Sequence, residues 1–286
     1  MQLAAEALQG WRLLEAESGE ELIVQTGALD LGVHAEATRT ALAACGIASE
    51  WLDAAEVARR WPLRLPSGSR ALFQAEGGIV RADRAVAAFV AAANAAGAAL
   101  HEATRVRSLR ADRDGVALET SAGTLRARAV VVTAGSWAKQ LLAPGGIELP
   151  VEVTRETVCY FELEAQPPSL IEQPRPGYFP YALWAPGVGV KAGIHMAGAI
   201  ADPDETGEPD AALVEETTAW MHERLPAAAE GPSALQTCLY TTTHDERFVL
   251  ERHGRVVVGS PCSGHGFKFA PAVGARLAAL VIESLE

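Results

Sequence analysis

Alternation of apolar and polar positions divides the chain into segments whose structure can be read locally. From Asp83 to Gly97 the sequence opens on a helix-capping residue, runs through good helix formers and closes on glycine, which predicts a helix. Three runs of strand character follow, Val106 to Leu109, Val116 to Thr120 and Thr124 to Arg128, separated by Asp114-Gly115 and by Ser121-Ala122-Gly123. Turn residues between β-formers predict a meander. Ala129 to Thr133 is then apolar without a break, as suits a parallel strand covered on both faces, and Ala134-Gly135-Ser136 ends it.

The C-terminal region repeats this order. Arg255 to Val258 reads as a short buried strand, Gly259 to Lys268 as a glycine-rich loop, and Pro271 to Leu285 as an apolar helix with its proline in the first turn, where no amide hydrogen is needed. Two strand, glycine, helix units predict an open α/β sheet that binds a ligand beyond its strand ends. Between them, Val151 to Ala192 carries the aromatics, prolines and β-formers of a sheet that covers a pocket. The start of the chain, Met1 to Leu22, reads as an amphipathic helix interrupted by Gly10, and residues 201–208, ADPDETGE, as a surface loop.

Composition narrows the function. A chain of 286 residues, 49% hydrophobic and 21% charged, suits one large domain or two interleaved lobes sharing a cleft. Its formal charge of -12 and the absence of a Lys/Arg stripe argue against nucleic acid as a partner. The first residues lack a basic stretch followed by an apolar run, and Ala85 to Leu100 is too short to cross a bilayer, so a soluble cytoplasmic protein without a membrane partner is expected. Cys45, Cys159, Cys238 and Cys262 form no C-x-x-C pair, which points to neither a metal site nor a disulfide framework.

Three segments carry candidate chemistry. Ser263-Gly264-His265-Gly266-Phe267-Lys268-Phe269 precedes the last helix; its glycines permit close backbone approach, the helix start offers free amides, and Lys268 adds a positive charge. That combination makes an anion site, although an ordinary strand-to-helix connection has the same local pattern. In Gly189-Val190-Lys191-Ala192-Gly193-Ile194-His195, alternation places Lys191, Gly193 and His195 on one face, which is catalytic if covered and a polar edge if open. The third is Thr237-Cys238-Leu239-Tyr240-Thr241, followed by Asp245 and Phe248.

These segments resemble the SGHGFKF, GxKxGxH and CxYTxTxDxxF patterns of the sarcosine oxidase and N-methyltryptophan oxidase family of flavoenzymes, and the resemblance covers almost the whole chain. It implies an α/β plus α+β fold in which an FAD-binding Rossmann-like domain (residues 1–22, 77–147 and 234–286) is interleaved with a mixed-sheet substrate domain (23–76 and 148–233). It implies oxidation of a secondary or N-methyl amino acid to an imine, with O2 reduced to H2O2. By the same resemblance Gly264, His265, Gly266, Phe267 and Lys268 lie against the flavin, and Lys268 grips the substrate carboxylate. His195 and Tyr181 then orient the amine, and Lys191 assists electrostatically. Val106, Gly135, Ser136 and Trp137, with Gly77-Gly78, line the adenosine and ribityl regions. Family members attach FAD through a cysteine, which implies Cys262 here or, second to it, Cys238.

A dinucleotide-binding chain opens with strand, G-x-G-x-x-G and helix in a βαβ unit of roughly thirty or more residues. No such fingerprint occurs in the sequence, so the FAD domain is expected to be incomplete, with Met1 aligning after that unit. A complementing N-terminal fragment and a non-catalytic relative that binds a small molecule are the alternatives this leaves open.

Overall fold

Val151–Glu162 is rich in β-branched and aromatic residues over twelve positions, enough for one strand to serve several partners. In the computed structural model, which describes residues 2–285, it pairs antiparallel with Ala234–Thr243 on one side and with Gly189–His195 and Ala199–Ile200 on the other. The sheet continues antiparallel through Phe179–Ala185 and Ser169–Gln173, crosses by a parallel pairing to Ala28–Gly32, and ends on Arg70–Gln74 and Glu50–Asp53, nine strands in all.

Alternation gives this sheet two unlike faces. Cys159, Phe161, Ala182, Val190 and Ala192 point to one side, where Trp220, Met221 and Leu225 of the helix Ala211–Arg224 and the residue after it pack on them. Here the carboxylate of Glu172, 3% exposed, accepts from Trp220 Nε1 at 2.6 Å and from Arg224 Nε and Nη2 at 2.8 and 2.9 Å. A buried charge is tolerable only when its lone pairs are filled, as these are. Intervening residues, among them Tyr181, Lys191, Gly193 and His195, face the other way, toward the candidate site.

The second lobe is built on Val256–Ser260, which pairs in parallel with Val130–Val132 and antiparallel with Val249–His253. The helix Ala270–Glu283 packs on it through Val273 and Leu277, and Pro271 lies in its first turn. A meander of Val106–Ala111, Val116–Thr120 and Gly123–Ala127 packs beside it, with Leu109 and Val116 in a shared core with Val132, Val256 and Val258. The mixed α/β architecture with interleaved lobes is as expected.

Several local expectations change. The helix expected from Asp83 runs over Ala82–Ala95, with Arg81 at the cap position and no side chain capping it; Asp83 is in the first turn, where its charge suits the helix dipole. Gly10 does not interrupt the first helix, which is continuous over Gln2–Ser18. A Cβ at position 10 would overlap the ring of Pro271, so this glycine serves close packing against the last helix. The apolar strand is shorter than its sequence, Val130–Val132, and only Val132 is fully buried. Among the described residues no helix is long and apolar enough to cross a membrane.

Candidate active site

The site is assembled from the open face of the large sheet below and the Ser263–Lys268 loop above. On the sheet, Phe179, Tyr181 and Leu183 stand opposite His195, Gly193 and Lys191, so that aromatic, tyrosine and leucine side chains lie beside the polar ones. Space beside Gly193 in this row is tight: a Cβ there would lie 3.0 Å from both the Thr157 carbonyl oxygen and the Tyr181 hydroxyl. Tyr240, from the neighbouring Ala234–Thr243 strand, places its hydroxyl 3.3 Å from His195 Nδ1.

The loop is fixed by backbone contact. Gly264 has φ of +69°, and a Cβ would overlap the Tyr240 ring and come within 2.6 Å of His195 Cε1. A Cβ on Gly266 would overlap the carbonyl oxygen of Pro261. From the far end of the sequence, Trp11 Nε1 donates to the carbonyl oxygen of Lys268 at 2.8 Å, and its ring packs 5.7 Å from that of Phe267.

Between loop and sheet lies a cavity of about 250 Å3 lined by Tyr181, Lys191, His195, Tyr240, Gly264, His265 and Lys268, with Ile171, Phe179 and Leu183 along one wall. Among the described residues no carboxylate lines it. Burial, followed by the charges of His265 and Lys268, pushes the imidazole of His195 down to about 4, so it is neutral at physiological pH. Burial and then Lys268 lower His265 as well, and burial lowers Lys268 itself. Burial raises the phenols of Tyr181 and Tyr240, which keeps both as hydrogen-bond donors. The cavity thus presents ammonium and hydroxyl donors and neutral imidazoles to any carboxylate or amine that enters.

The remaining predicted residues divide between two further spaces. Gly135, Cys262, Gly264, Gly266 and Phe267 line a groove of about 470 Å3 that shares Tyr240 and Gly264 with the cavity. Val106 and Trp137 line a third space, of about 640 Å3, at whose rim Asp204 accepts from Trp137 Nε1 at 2.9 Å and from Arg105 Nη2 at 2.8 Å. Ser136 is buried in the short 3-10 turn Gly135–Trp137, its hydroxyl 3.0 Å from that of Thr241. Cys262 Sγ accepts from Thr241 N at 3.4 Å. Sequence reasoning assigned no role to Tyr240, Trp11, Ile171, Phe179 or Leu183. The alternation of Phe179, Tyr181 and Leu183 carried a signal for the wall; nothing local marked Trp11.

The family model for FAD dependent oxidoreductases (DAO) matches residues 1–280. The chain belongs to this FAD dependent oxidoreductase family. Peroxisomal sarcosine oxidase of Homo sapiens is 32% identical over 94% of this chain and 74% of its own length. Monomeric sarcosine oxidase of Bacillus sp. (strain B-0618) is 28% identical over 98% of this chain and 77% of its own. Among solved structures, the open form of NikD, an unusual amino acid oxidase essential for nikkomycin biosynthesis, superposes with a TM-score of 0.88 at 29% identity, over 99% of this chain and 79% of NikD. The chain is therefore an FAD-dependent oxidoreductase of the amino-acid-oxidase type, with a small amino-acid-like molecule and dioxygen as its reaction partners.

The groove fits the cofactor of this family. Gly135 and Gly274 both line it, and a Cβ on either would meet nothing within 4 Å, leaving bare backbone on an open wall where a large planar or phosphate-bearing group can approach closely.

Proposed function

We propose that the chain oxidises a secondary or N-methylated amino acid to the imine. The amine gives up two electrons and two protons, O2 takes them up as H2O2, and water then splits the imine into a carbonyl compound and an amine. When bound, FAD supplies the two-electron acceptor that dioxygen reoxidises. One observation carries the reading: Lys191, His195 and Lys268, distant in sequence, line one cavity in which no acidic group stands among the described residues. The names of the curated relatives, sarcosine oxidases, point the same way.

In this reading Lys268 binds the substrate carboxylate. The neutral ring of His195, steered by Tyr240, and the hydroxyl of Tyr181 orient the amine nitrogen. Lys191 stabilises negative charge that develops during electron transfer. Gly135, Cys262, Gly264, His265, Gly266 and Phe267 hold the flavin, and Val106, Ser136 and Trp137 its distal half. The chain divides into a cofactor lobe of residues 1–22, 77–147 and 234–286 and a substrate lobe of 23–76 and 148–233. Four unpaired cysteines suit the reducing cytoplasm.

Covalent attachment of FAD belongs to the same proposal. Resemblance favours Cys262, which lines the groove. Cys238 lies on the same sheet face as Lys191, but burial outweighs the lowering effect of that charge and leaves the thiol raised, away from the reactive thiolate. Purified chain incubated with FAD and N-methylglycine should release H2O2 in proportion to amine consumed; absence of peroxide from flavin-loaded protein, across N-methyl amino acids, overturns the reading. Acid-precipitated protein should retain yellow flavin, and mass spectrometry of the flavopeptide, with Cys238→Ser and Cys262→Ser alongside, tells the two sulfurs apart.

A further inference from the structure

The cavity is amphipathic in a definite direction. Its cations and imidazoles, Lys191, His195, His265 and Lys268, come from one strand and the loop, whereas Ile171, Phe179 and Leu183 come from the two strands beyond them. Strand pairing fixes this polarity: Leu183 is the register partner of Lys191, and Ile171 that of Tyr181, so the path away from Lys191 and His195 runs across apolar side chains. Ile171 lines the cavity and is also 40% exposed, which places it at the mouth.

We infer that the preferred substrate carries an apolar side chain or nitrogen substituent of several carbons, which lies along Phe179 and Leu183 toward Ile171. This rests on the amine-oxidising reading above and goes beyond it by choosing among amines. A carboxylate drawn to Lys268 directs the rest of the molecule to the opposite wall. There each buried methylene adds about 0.8 kcal/mol, or about fourfold in affinity. A substituent bearing a cation is disfavoured, because Lys191 and Lys268 repel it and no carboxylate among the described residues lines the cavity to pair with it. Chains long enough to pass Ile171 gain nothing more, since their ends return to water.

Two ladders test this on the flavin-loaded protein. In the first, dissociation constants of acetate, butanoate and hexanoate are measured by calorimetry, which needs no turnover. Affinity should rise about fourfold per methylene. In the second, kcat/KM is measured for N-methylglycine, N-methylalanine, N-methylleucine and N-methyllysine. N-methylleucine should exceed N-methylglycine by at least about tenfold, and N-methyllysine should fall below N-methylleucine. Ile171→Ser, and Leu183→Ser should the first variant fold poorly, should flatten the alkanoate slope. A flat slope in the parent protein together with oxidation of N-methylglycine sinks the inference and leaves the oxidase reading standing. A steep slope without peroxide from any amine sustains the apolar wall and removes the oxidase reading. If no alkanoate binds, the inference fails whatever the oxidation assay shows.

Discussion

The two halves of the cavity are held in place by different means. Lys191 and His195 stand on a strand paired along its length with Phe179–Ala185 and, from Gly189 to Ala192, also with Val151–Glu162, so their direction follows from register and tolerates a change of side chain. His265 and Lys268 sit on a loop whose path is set by contacts that leave no room for a Cβ at Gly264 or Gly266. Its last residue is tied to Trp11 across 257 positions of sequence. Function on the strand thus lies in side chains, and function on the loop depends first on backbone. Substitutions of each kind should therefore fail differently.

The largest effect is expected from Gly266→Ala. The added carbon would overlap the Pro261 carbonyl oxygen, and two backbone segments must separate to admit it. A loss of about 3 kcal/mol, at the upper end of overpacking, is expected from urea unfolding, together with loss of flavin binding. Gly274→Ala is the matched control. It lies inside the last helix with nothing within 4 Å, so stability should rise by up to about 1 kcal/mol while the methyl group narrows the groove and weakens FAD retention. If Gly266→Ala folds and binds flavin like the parent, the contrast between loop and strand is broken.

Lys268→Met separates side chain from backbone within the loop. A charge-assisted contact to a carboxylate is worth about 1.5–3 kcal/mol, so KM for an N-methyl amino acid should rise by about 10- to 150-fold. Stability should not drop in step, because burial already disfavours the lysine charge, and Trp11 bonds to the backbone carbonyl rather than to the side chain. An equal loss of stability and binding would show that the side chain helps hold the loop.

The same contrast explains what could be read from the sequence. Strand, glycine and helix near each end of the cofactor lobe, the meander, and the common face of Lys191, Gly193 and His195 rest on spacing and turn chemistry, which are local. The apolar wall does so only in part: the alternation of Phe179, Tyr181 and Leu183 is local, but the place of Ile171 beside them is not. It exists because Ser169–Gln173 pairs with Phe179–Ala185 and also in parallel with Ala28–Gly32, well over a hundred residues away, and no periodicity records that partner. Gly10 and Asp83 misled for a related reason. Each has a local meaning, a helix break and a cap, that tertiary packing against Pro271 and a start at Ala82 replaced. The tight space at Gly193, set by the Thr157 carbonyl and the Tyr181 hydroxyl, likewise appears only when strands lie side by side.

The effect with the narrowest reach concerns the strand half and is read only in acid. Burial, with His265 and Lys268 adding to it, lowers His195 from 6.5 to about 4, so between those values the unfolded chain binds a proton that the native protein does not. Stability from this residue is therefore complete above about pH 6.5 and is lost as pH falls toward about 4. His195→Gln keeps a polar group near Tyr240 but removes the titration, so its unfolding free energy should fall less steeply than the parent's across this window. His265, lowered in the same direction, still titrates in the variant, and the slope should shrink without vanishing. Parent and variant curves that run parallel from pH 7 to pH 4 would mean that water reaches the imidazole freely, and the strand half of the cavity would then be as open as the mouth at Ile171.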